Sequence, residues 1–279
     1  MTRHHYLCPM RWGDMDAQGH INNSAFLDYL QEGRVDFLLG GPPEMGQLLE
    51  TGVLVASHQV EYLAPVTFSE RPLRLELWVD QVGASRFAVG YEVYDGDVLA
   101  ARARTTATPY DLAAGRLRRL TEVERGCLTG AMDTATPLRP LARLPVTEPA
   151  HRYPLVVRWS DLDSYGHVNN VKFYDYVQEA RIAVMRATLG WQPEDVWLVA
   201  RQDLEYRRPL DFRIAPYEVR TSVSALGRRS FTLAAELGDP ADASVYATAR
   251  TVVVGTAPLT PDQRAALSRW APDTVCGAG

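Results

Sequence analysis

Two segments of the chain, one in each half, carry apolar side chains at helical spacing. In each segment four apolar or small residues are separated by four, three and four positions, which places them on one face of a helix. These residues are Phe26, Leu30, Gly33 and Phe37 in the first segment and Phe173, Val177, Ala180 and Val184 in the second. Other apolar residues lie off this face, so we predict a long helix in each half that is largely enclosed by protein.

Strand patterns follow each predicted helix. Each half contains four segments rich in β-branched and aromatic residues, and turn residues separate them. They cover residues 53–63, 73–82, 87–94 and 98–108 in the first half and 196–206, 217–226, 231–237 and 245–254 in the second. Connections of hairpin length favour antiparallel pairing. Thr121 and Thr260, each with Glu or Gln three residues later, predict a short closing helix in each half.

The turn before each long helix is repeated almost residue for residue. Residues 11–23 read Arg-Trp-Gly-Asp-Met-Asp-Ala-Gln-Gly-His-Ile-Asn-Asn, and residues 158–170 read Arg-Trp-Ser-Asp-Leu-Asp-Ser-Tyr-Gly-His-Val-Asn-Asn. Extended through the helix, 14 of the 24 positions match between 11–34 and 158–181. A repeat of this kind in 279 residues predicts two related domains. We place them at residues 1–130 and 151–279, with a proline-containing linker at 131–150.

The composition argues against several classes of partner. The chain is 46% hydrophobic and 23% charged, with a formal net charge of −5 and no run of like charges, so nucleic acid is not an expected partner. No window is apolar over about 18 residues and no apolar segment of signal-peptide length opens the chain, so we expect no membrane span and a cytoplasmic protein. The cysteines are far apart and no His or Cys pair has metal-ligand spacing, so we expect no disulfide, metal ion or other cofactor.

The repeated motif resembles that of a known family. Asp-x-Asp-x-x-Gly-His-[Ile/Val]-Asn-Asn, followed by a helix with Phe, Tyr, Glu and Arg spaced as here, is similar to the hotdog-fold thioesterases of the 4-hydroxybenzoyl-CoA thioesterase group. The resemblance implies an α+β fold of two tandem hotdog domains, each a curled antiparallel sheet wrapped around one long helix. It also implies an intrachain pseudo-dimer with up to two active sites at the interface, and it is compatible with a homo-oligomer of such chains.

The second half also resembles plant acyl-carrier-protein thioesterases, in the run Arg-Trp-Ser-Asp-Leu-Asp. That family carries Asn two residues after the second Asp, where this chain has Gln18 and Tyr165. It also carries an acidic residue shortly after a Tyr-Arg-Arg run, where this chain has Pro209. These departures argue against the mechanism of that family.

The resemblance also implies roles for the residues of the repeated turn. A carboxylate can activate water or attack a thioester directly, and N–H groups at a helix N-terminus stabilise developing negative charge. The candidate catalytic residues are Asp16 and Asp163, and the candidate substrate-binding residues are His20, Asn23, His167 and Asn170, with the asparagines acting through their backbone N–H groups. The alternative is that the two aspartates only accept hydrogen bonds from turn amides.

The expected activity is hydrolysis of an acyl-CoA, the expected small-molecule substrate, to a free carboxylic acid and CoA. The absence of a Gly-x-Ser-x-Gly elbow argues against an α/β-hydrolase route. An acyl-carrier-protein thioesterase and a non-catalytic acyl-CoA-binding hotdog protein are the alternatives. The earlier aspartates, Asp14 and Asp161, are expected to be structural and to pair with Arg11 and Arg158.

Overall fold

The computed structural model describes residues 3–136, 138–139, 145–190 and 196–272. The chain divides into two compact units, Met1–Arg139 and Pro140–Gly279. The division falls inside the segment 131–150 that the sequence predicts to be a linker. Two prolines of that segment, Pro137 and Pro140, lie outside the described residues.

Unit 1 contains one long helix and two short ones within the described residues. They are α1 (Ala25–Leu39), α2 (Pro43–Thr51) and α3 (Glu122–Gly130). The helix α3 begins with the predicted capping box, because the Thr121 side chain accepts from the Glu124 N–H at 3.2 Å and the Glu124 carboxylate accepts from the Thr121 N–H at 2.7 Å. This prediction is confirmed.

The helix α2 is not predicted by the sequence pattern, in which Gly40-Gly41-Pro42-Pro43 serves only as a stop for α1. Pro43 occupies the first helical position, where its missing N–H costs no intrahelical hydrogen bond. The buried residues Met45 and Leu48 are three positions apart, and α2 packs against both α1 and α3. Tertiary packing therefore stabilises a helix whose local sequence signal is weak.

The described strands of unit 1 form an antiparallel sheet. They are β1 (His4–Cys8), β2 (Val53–Tyr62), β3 (Leu73–Val82), β4 (Phe87–Asp95) and β5 (Val98–Asp111), in the order β1-β3-β4-β5-β2. A two-residue strand, β6 (Arg116–Leu117), pairs with the end of β5. The Gly83 N–H donates to the Arg86 carbonyl at 2.8 Å and closes the β3–β4 hairpin, as the glycine there predicts.

Unit 2 repeats this plan. Its elements are β7 (His151–Leu155), α4 (Lys172–Leu189), β8 (Trp197–Tyr206), β9 (Tyr217–Leu226), β10 (Ser230–Gly238), β11 (Val245–Gly255) and α5 (Pro261–Ser268). The antiparallel order is β7-β9-β10-β11-β8. The capping box predicted at Thr260 opens α5. Each unit is thus one antiparallel sheet packed on one long helix, and the predicted fold class is confirmed.

The long helix of unit 1 buries one face against the sheet. A Cβ atom at Gly33 would lie 3.0 Å from the Cδ2 atom of Leu75, so the small residue permits close approach of α1 to β3. Phe26 and Leu30 of the same face are buried, whereas Glu32 on the other side is exposed. Leu27 and Leu38, which lie off this face, are buried as well, so the prediction of a largely enclosed helix is confirmed for α1.

The opposite face of the same sheet carries a buried tryptophan. Trp78 of β3 pairs across the strands with Gly90 of β4, and a Cβ atom at Gly90 would lie 2.4 Å from the Trp78 ring. The Arg3 guanidinium lies over that ring, 4.2 Å from its centroid. The corresponding cross-strand pair in unit 2 is Ser222 and Ala234. Gly90 is therefore needed because its partner is large.

We predict that Gly90→Ala destabilises the protein by about 1–3 kcal/mol, because the indole must move to make room. Urea denaturation monitored by circular dichroism measures this loss. In a Trp78→Ser background, Gly90→Ala gives unit 1 the serine–alanine pair that unit 2 has. There the substitution should cost almost nothing. Equal losses in both backgrounds would show that the indole is not the cause.

His151 of β7 gives the fold a pH dependence. Its ring packs edge-on against Trp270 at 5.5 Å between centroids, and its Nδ1 is buried without a hydrogen-bond partner among the described residues. Burial lowers the pKa of the His151 imidazole from its ordinary value of 6.5. As the pH falls through 6.5, the imidazole binds a proton in the unfolded chain, whereas the folded chain binds it more weakly. The free energy of unfolding therefore decreases as the pH falls.

We predict that the thermal unfolding midpoint falls between about pH 7.5 and pH 5.5 and that His151→Gln makes this fall smaller. Differential scanning calorimetry at several pH values measures the slope. His5, which is exposed, supplies the matched control, and His5→Gln should keep the slope of the parent. Identical slopes in the parent and in His151→Gln would contradict the assignment.

Candidate active site

In unit 1 the repeated turn folds as a small hairpin that leads into α1. Met15 and Ile21 pair in an isolated antiparallel bridge, and the Asp16 N–H donates to the His20 carbonyl at 2.8 Å. The Gly19 N–H donates back to the Asp16 carbonyl at 3.0 Å. Gly19 has a φ of 77°, which explains why glycine stands there. Asp16 and His20 are therefore brought together in one turn.

Unit 2 builds the same hairpin. Leu162 and Val168 form the bridge, and the Asp163 N–H donates to the His167 carbonyl at 2.9 Å. Gly166 has a φ of 82° and takes the place of the first glycine. The candidate residues of unit 2 thus have the same local arrangement as those of unit 1.

The first aspartate of the unit 1 hairpin is structural, as predicted. Both oxygens of Asp14 contact the Arg11 guanidinium, at 3.0 and 3.1 Å, and the Tyr29 hydroxyl donates to Oδ2 at 2.6 Å. Burial acts to raise the pKa of Asp14, but the hydrogen bonds from Arg11 and Tyr29 outweigh it, and the pKa lies below its ordinary value. The predicted pairing of Asp14 with Arg11 is confirmed.

Asp161 has the equivalent position in unit 2 and is buried. Its Oδ2 accepts from the Arg158 backbone N–H at 2.9 Å and from the Tyr176 hydroxyl at 2.7 Å. Burial, together with the hydrogen bond to the carboxylate, raises the pKa of the Tyr176 hydroxyl. Tyr176 therefore remains protonated and donates to Asp161 throughout the neutral pH range.

The second aspartate of each hairpin keeps one oxygen unoccupied. Oδ1 of Asp16 accepts from the backbone N–H groups of Gln18 at 2.8 Å and His20 at 3.4 Å, and Oδ1 of Asp163 accepts from the Tyr165 N–H at 2.8 Å. Among the described residues, neither Oδ2 has a hydrogen-bond partner. Turn amides therefore orient each carboxylate, as the simpler alternative expects, while one oxygen is left for chemistry.

The paired asparagines lie immediately before the helices. The Asn22 side chain accepts from the Ser24 N–H at 3.1 Å, and the Asn169 side chain accepts from the Val171 N–H at 3.3 Å. Each bond, from the N–H two residues later, forms an Asx turn. The N-caps of α1 and α4 are Ser24 and Val171, and neither makes a side-chain capping bond. Asn23 and Asn170, which follow Asn22 and Asn169, stand in the last turn before each helix, and their role as donors stays a prediction.

Two tyrosines of the sheets hold these asparagines, and the motif analysis does not identify them. The Tyr62 hydroxyl donates to the Asn23 carbonyl at 2.7 Å, and the Tyr206 hydroxyl donates to the Asn170 carbonyl at 2.6 Å. The available signal is the Glu-Tyr pair that ends the strand in both halves. Each site peptide is thereby fixed to the sheet as well as to the helix.

The two histidines have different surroundings. In unit 1 the Nδ1 atom of His20 is buried and has no hydrogen-bond partner among the described residues. In unit 2 the Nε2 atom of His167 lies 3.8 Å from Oδ1 of Asp211. The substrate-binding role of both histidines stays a prediction.

In the part of the chain that the structure describes, no group of three or more His, Cys, Asp or Glu residues could hold a metal ion. None of the described helices combines the length and the apolar character that crossing a membrane requires.

Two hairpin-and-helix sites, one on each hotdog unit, are the features of a double-hotdog protein. The family model described as Thioesterase-like superfamily matches residues 10–137 and 157–267, and these ranges include both hairpins. The chain belongs to this superfamily. Membership supports thioesterase activity on acyl thioesters as its general activity.

Solved structures share the fold over most of the chain. The 12:0-ACP thioesterase from Umbellularia californica has a TM-score of 0.70 and 18% identity, covering 91% of this chain and 97% of that one. The putative oleoyl thioesterase from Lactobacillus plantarum has a TM-score of 0.71 and 12% identity, covering 91% and 95%. At such identities the likeness concerns the fold alone.

A curated relative matches more locally. The uncharacterized protein YsmA of Bacillus subtilis (strain 168) is 33% identical over 82 residues, which cover 28% of this chain and 53% of that protein. The match therefore spans about half the length of that relative.

We predict that Tyr62→Phe combined with Tyr206→Phe lowers kcat roughly two- to tenfold, since each site loses one hydrogen bond worth about 0.5–1.5 kcal/mol. Steady-state release of thiol from an acyl thioester measures the rate. Tyr153→Phe, on β7, is the matched control and should keep the parent rate. A double variant as fast as the parent would show that these hydroxyls do not support the sites.

Proposed function

We propose that the protein hydrolyses an acyl-CoA thioester to a free carboxylic acid and CoA, with Asp16 and Asp163 as general base or nucleophile at two similar sites. One observation carries this proposal. Each carboxylate is oriented through Oδ1 by turn amides, and its Oδ2 has no partner among the described residues. Asp14, by contrast, has both oxygens occupied and is not available for chemistry.

The chemistry balances in either role. As a general base, the carboxylate takes a proton from water while the water oxygen bonds to the carbonyl carbon. The carbon–sulfur bond then breaks, and the departing thiolate receives the proton. As a nucleophile, the carboxylate oxygen displaces the thiolate and forms an anhydride. Water then opens the anhydride to give the acid and the free carboxylate, and the proton released protonates the thiolate.

Negative charge develops on the thioester carbonyl oxygen in both routes. The backbone N–H groups of Asn23 and Asn170 stand at the positive end of α1 and α4, where such charge is stabilised. The bonds from Tyr62 and Tyr206 hold these peptides in place and so reduce the reorganisation that the reaction requires. His20 and His167 are proposed to contact the thioester from the same turns.

CoA is proposed as the thiol carrier on the basis of the departures from the plant carrier-protein enzymes. Gln18 and Tyr165 stand where those enzymes have asparagine, and Pro209 stands where they have an acidic residue. The structural likeness to the 12:0-ACP thioesterase favours a carrier protein as the second candidate, although at 18% identity it extends only to the fold.

We predict that the Asp16→Asn/Asp163→Asn double variant loses about 10²- to 10⁴-fold in kcat/KM, the usual effect of removing a general base. Acyl-CoAs of graded chain length with a thiol-trapping dye measure the rate, and each single variant reports the share of one site. Asp97→Asn, in the exposed β4–β5 turn, is the matched control and should leave the rate unchanged. Undiminished turnover in the double variant contradicts the assignment of both carboxylates.

The same assay distinguishes the candidate functions. One acyl group is offered on CoA and on a carrier protein, and we expect the larger kcat/KM with CoA. A larger value with the carrier protein would support the second candidate. Tight binding of acyl-CoA without thiol release would instead identify a non-catalytic binding protein and overturn the proposal.

A further inference from the structure

An equivalent backbone hydrogen bond holds each hairpin to the segment before the second long strand of its unit, but the residue next to the acceptor differs. The Ile21 N–H donates to the Val66 carbonyl at 2.8 Å, and the Val168 N–H donates to the Leu210 carbonyl at 2.9 Å. The residue that follows the acceptor is threonine in unit 1 and Asp211 in unit 2. At this position unit 2 therefore has a carboxylate where unit 1 has a hydroxyl group.

Asp211 lies beside the histidine of its hairpin. Its Oδ1 is 3.8 Å from Nε2 of His167, the distance of an ion pair when the ring is protonated. The Asp211 side chain is 75% exposed, so a rotation that shortens the distance by about 1 Å converts the contact into a hydrogen bond. The same hairpin carries Asp163, whose N–H donates to the His167 carbonyl.

The backbone that presents Asp211 is fastened on both sides. The Tyr217 hydroxyl donates to the Asp211 carbonyl at 3.0 Å, and the Phe212 ring meets the Trp159 ring edge-on at 5.6 Å. The Arg213 guanidinium donates to the carbonyls of the two residues before β9, at 3.0 Å each, and forms an ion pair with a buried aspartate of the β10–β11 turn. The fold therefore defines the position of the Asp211 backbone, from which the exposed side chain can rotate.

Unit 1 differs at two of these positions. Leu73 stands where unit 2 has Tyr217, and Thr67 stands where it has Asp211. The hairpin histidine of unit 1, His20, has a buried Nδ1 without a partner among the described residues. The two sites therefore share the aspartate and the asparagines but differ in the residues that surround the histidine.

We propose that Asp211 is a positioning residue for His167 and that it makes the unit 2 site functionally distinct from the unit 1 site. This inference rests on the proposed hydrolysis at Asp163. By accepting from Nε2–H, the Asp211 carboxylate selects the ring nitrogen that carries the proton and leaves Nδ1 unprotonated, as a hydrogen-bond acceptor. Exposed ion pairs contribute little energy, so the expected effect on rate is about two- to fivefold.

The test uses full-length protein in which Asp16→Asn leaves only the unit 2 site. Adding Asp211→Asn should lower kcat/KM about two- to fivefold without changing the thermal unfolding midpoint, and Asp211→Glu should restore at least half of the loss.

A double-mutant cycle separates positioning from a general effect on the loop. In a His167→Gln background, Asp211→Asn should cause no further loss, because its target is gone. Thr67→Asn, in a protein that carries Asp163→Asn and retains the unit 1 site, is the matched control and should keep its parent's rate. Loss of equal size with and without His167, or no loss at all, would overturn the proposal.

The same variants separate the role of Asp211 from the proposed role of Asp163 in hydrolysis. If Asp163→Asn does not lower the turnover of the Asp16→Asn protein, the assignment of the catalytic carboxylate is wrong. If Asp163→Asn abolishes that turnover while Asp211→Asn leaves it unchanged, the proposed hydrolysis stands and only the role of Asp211 is rejected.

Discussion

A hydrogen bond from a tyrosine of each long helix to the first aspartate of the preceding hairpin fixes the site in both units. The donors are Tyr29, at 2.6 Å from Asp14, and Tyr176, at 2.7 Å from Asp161. Both tyrosines are buried, so breaking the bond would leave a polar group unpaired at a cost of about 1–3 kcal/mol. The bond therefore opposes a shift of the hairpin along the helix and helps to hold the second aspartate, two residues on, in its position.

The sheet holds the same region from the other side. In unit 1 the hydroxyl of Tyr62, at the end of β2, fixes the Asn23 peptide, and Gly33 allows α1 to lie close to β3. Helix, sheet and hairpin thus meet at one short segment. An oriented carboxylate and a helix start are close in sequence and are both held by hydrogen bonds, and the proposed hydrolysis would use this preorganisation.

Features with a local signal could be predicted from the sequence. The strands, the capping boxes at Thr121 and Thr260 and the Arg11–Asp14 pair all depend on residues only a few positions apart. The helix α2 lacked such a signal, because its prolines indicate an end as well as a beginning and its apolar face has few members.

The contacts that tertiary structure creates could not be predicted. Tyr29 reaches Asp14 across a complete hairpin, and Asp211 reaches His167 only because the β8–β9 loop is bonded to the hairpin. The plant carrier-protein enzymes have an acidic residue where this chain has Pro209, two residues before Asp211. A sequence motif therefore indicates the candidate turn, whereas the residues that contact it depend on the tertiary structure.

The proposed hydrolysis requires the hairpin carboxylate and the helix-start amide to act on the same carbonyl group. A crystal structure of the Asp16→Asn/Asp163→Asn variant with an intact acyl-CoA would show whether they do. We expect the thioester carbonyl oxygen within about 3 Å of the N–H of Asn23 or Asn170, with the side chain at position 16 or 163 beside the carbonyl carbon. Acyl-CoA bound elsewhere, with both hairpins unoccupied, would exclude this arrangement.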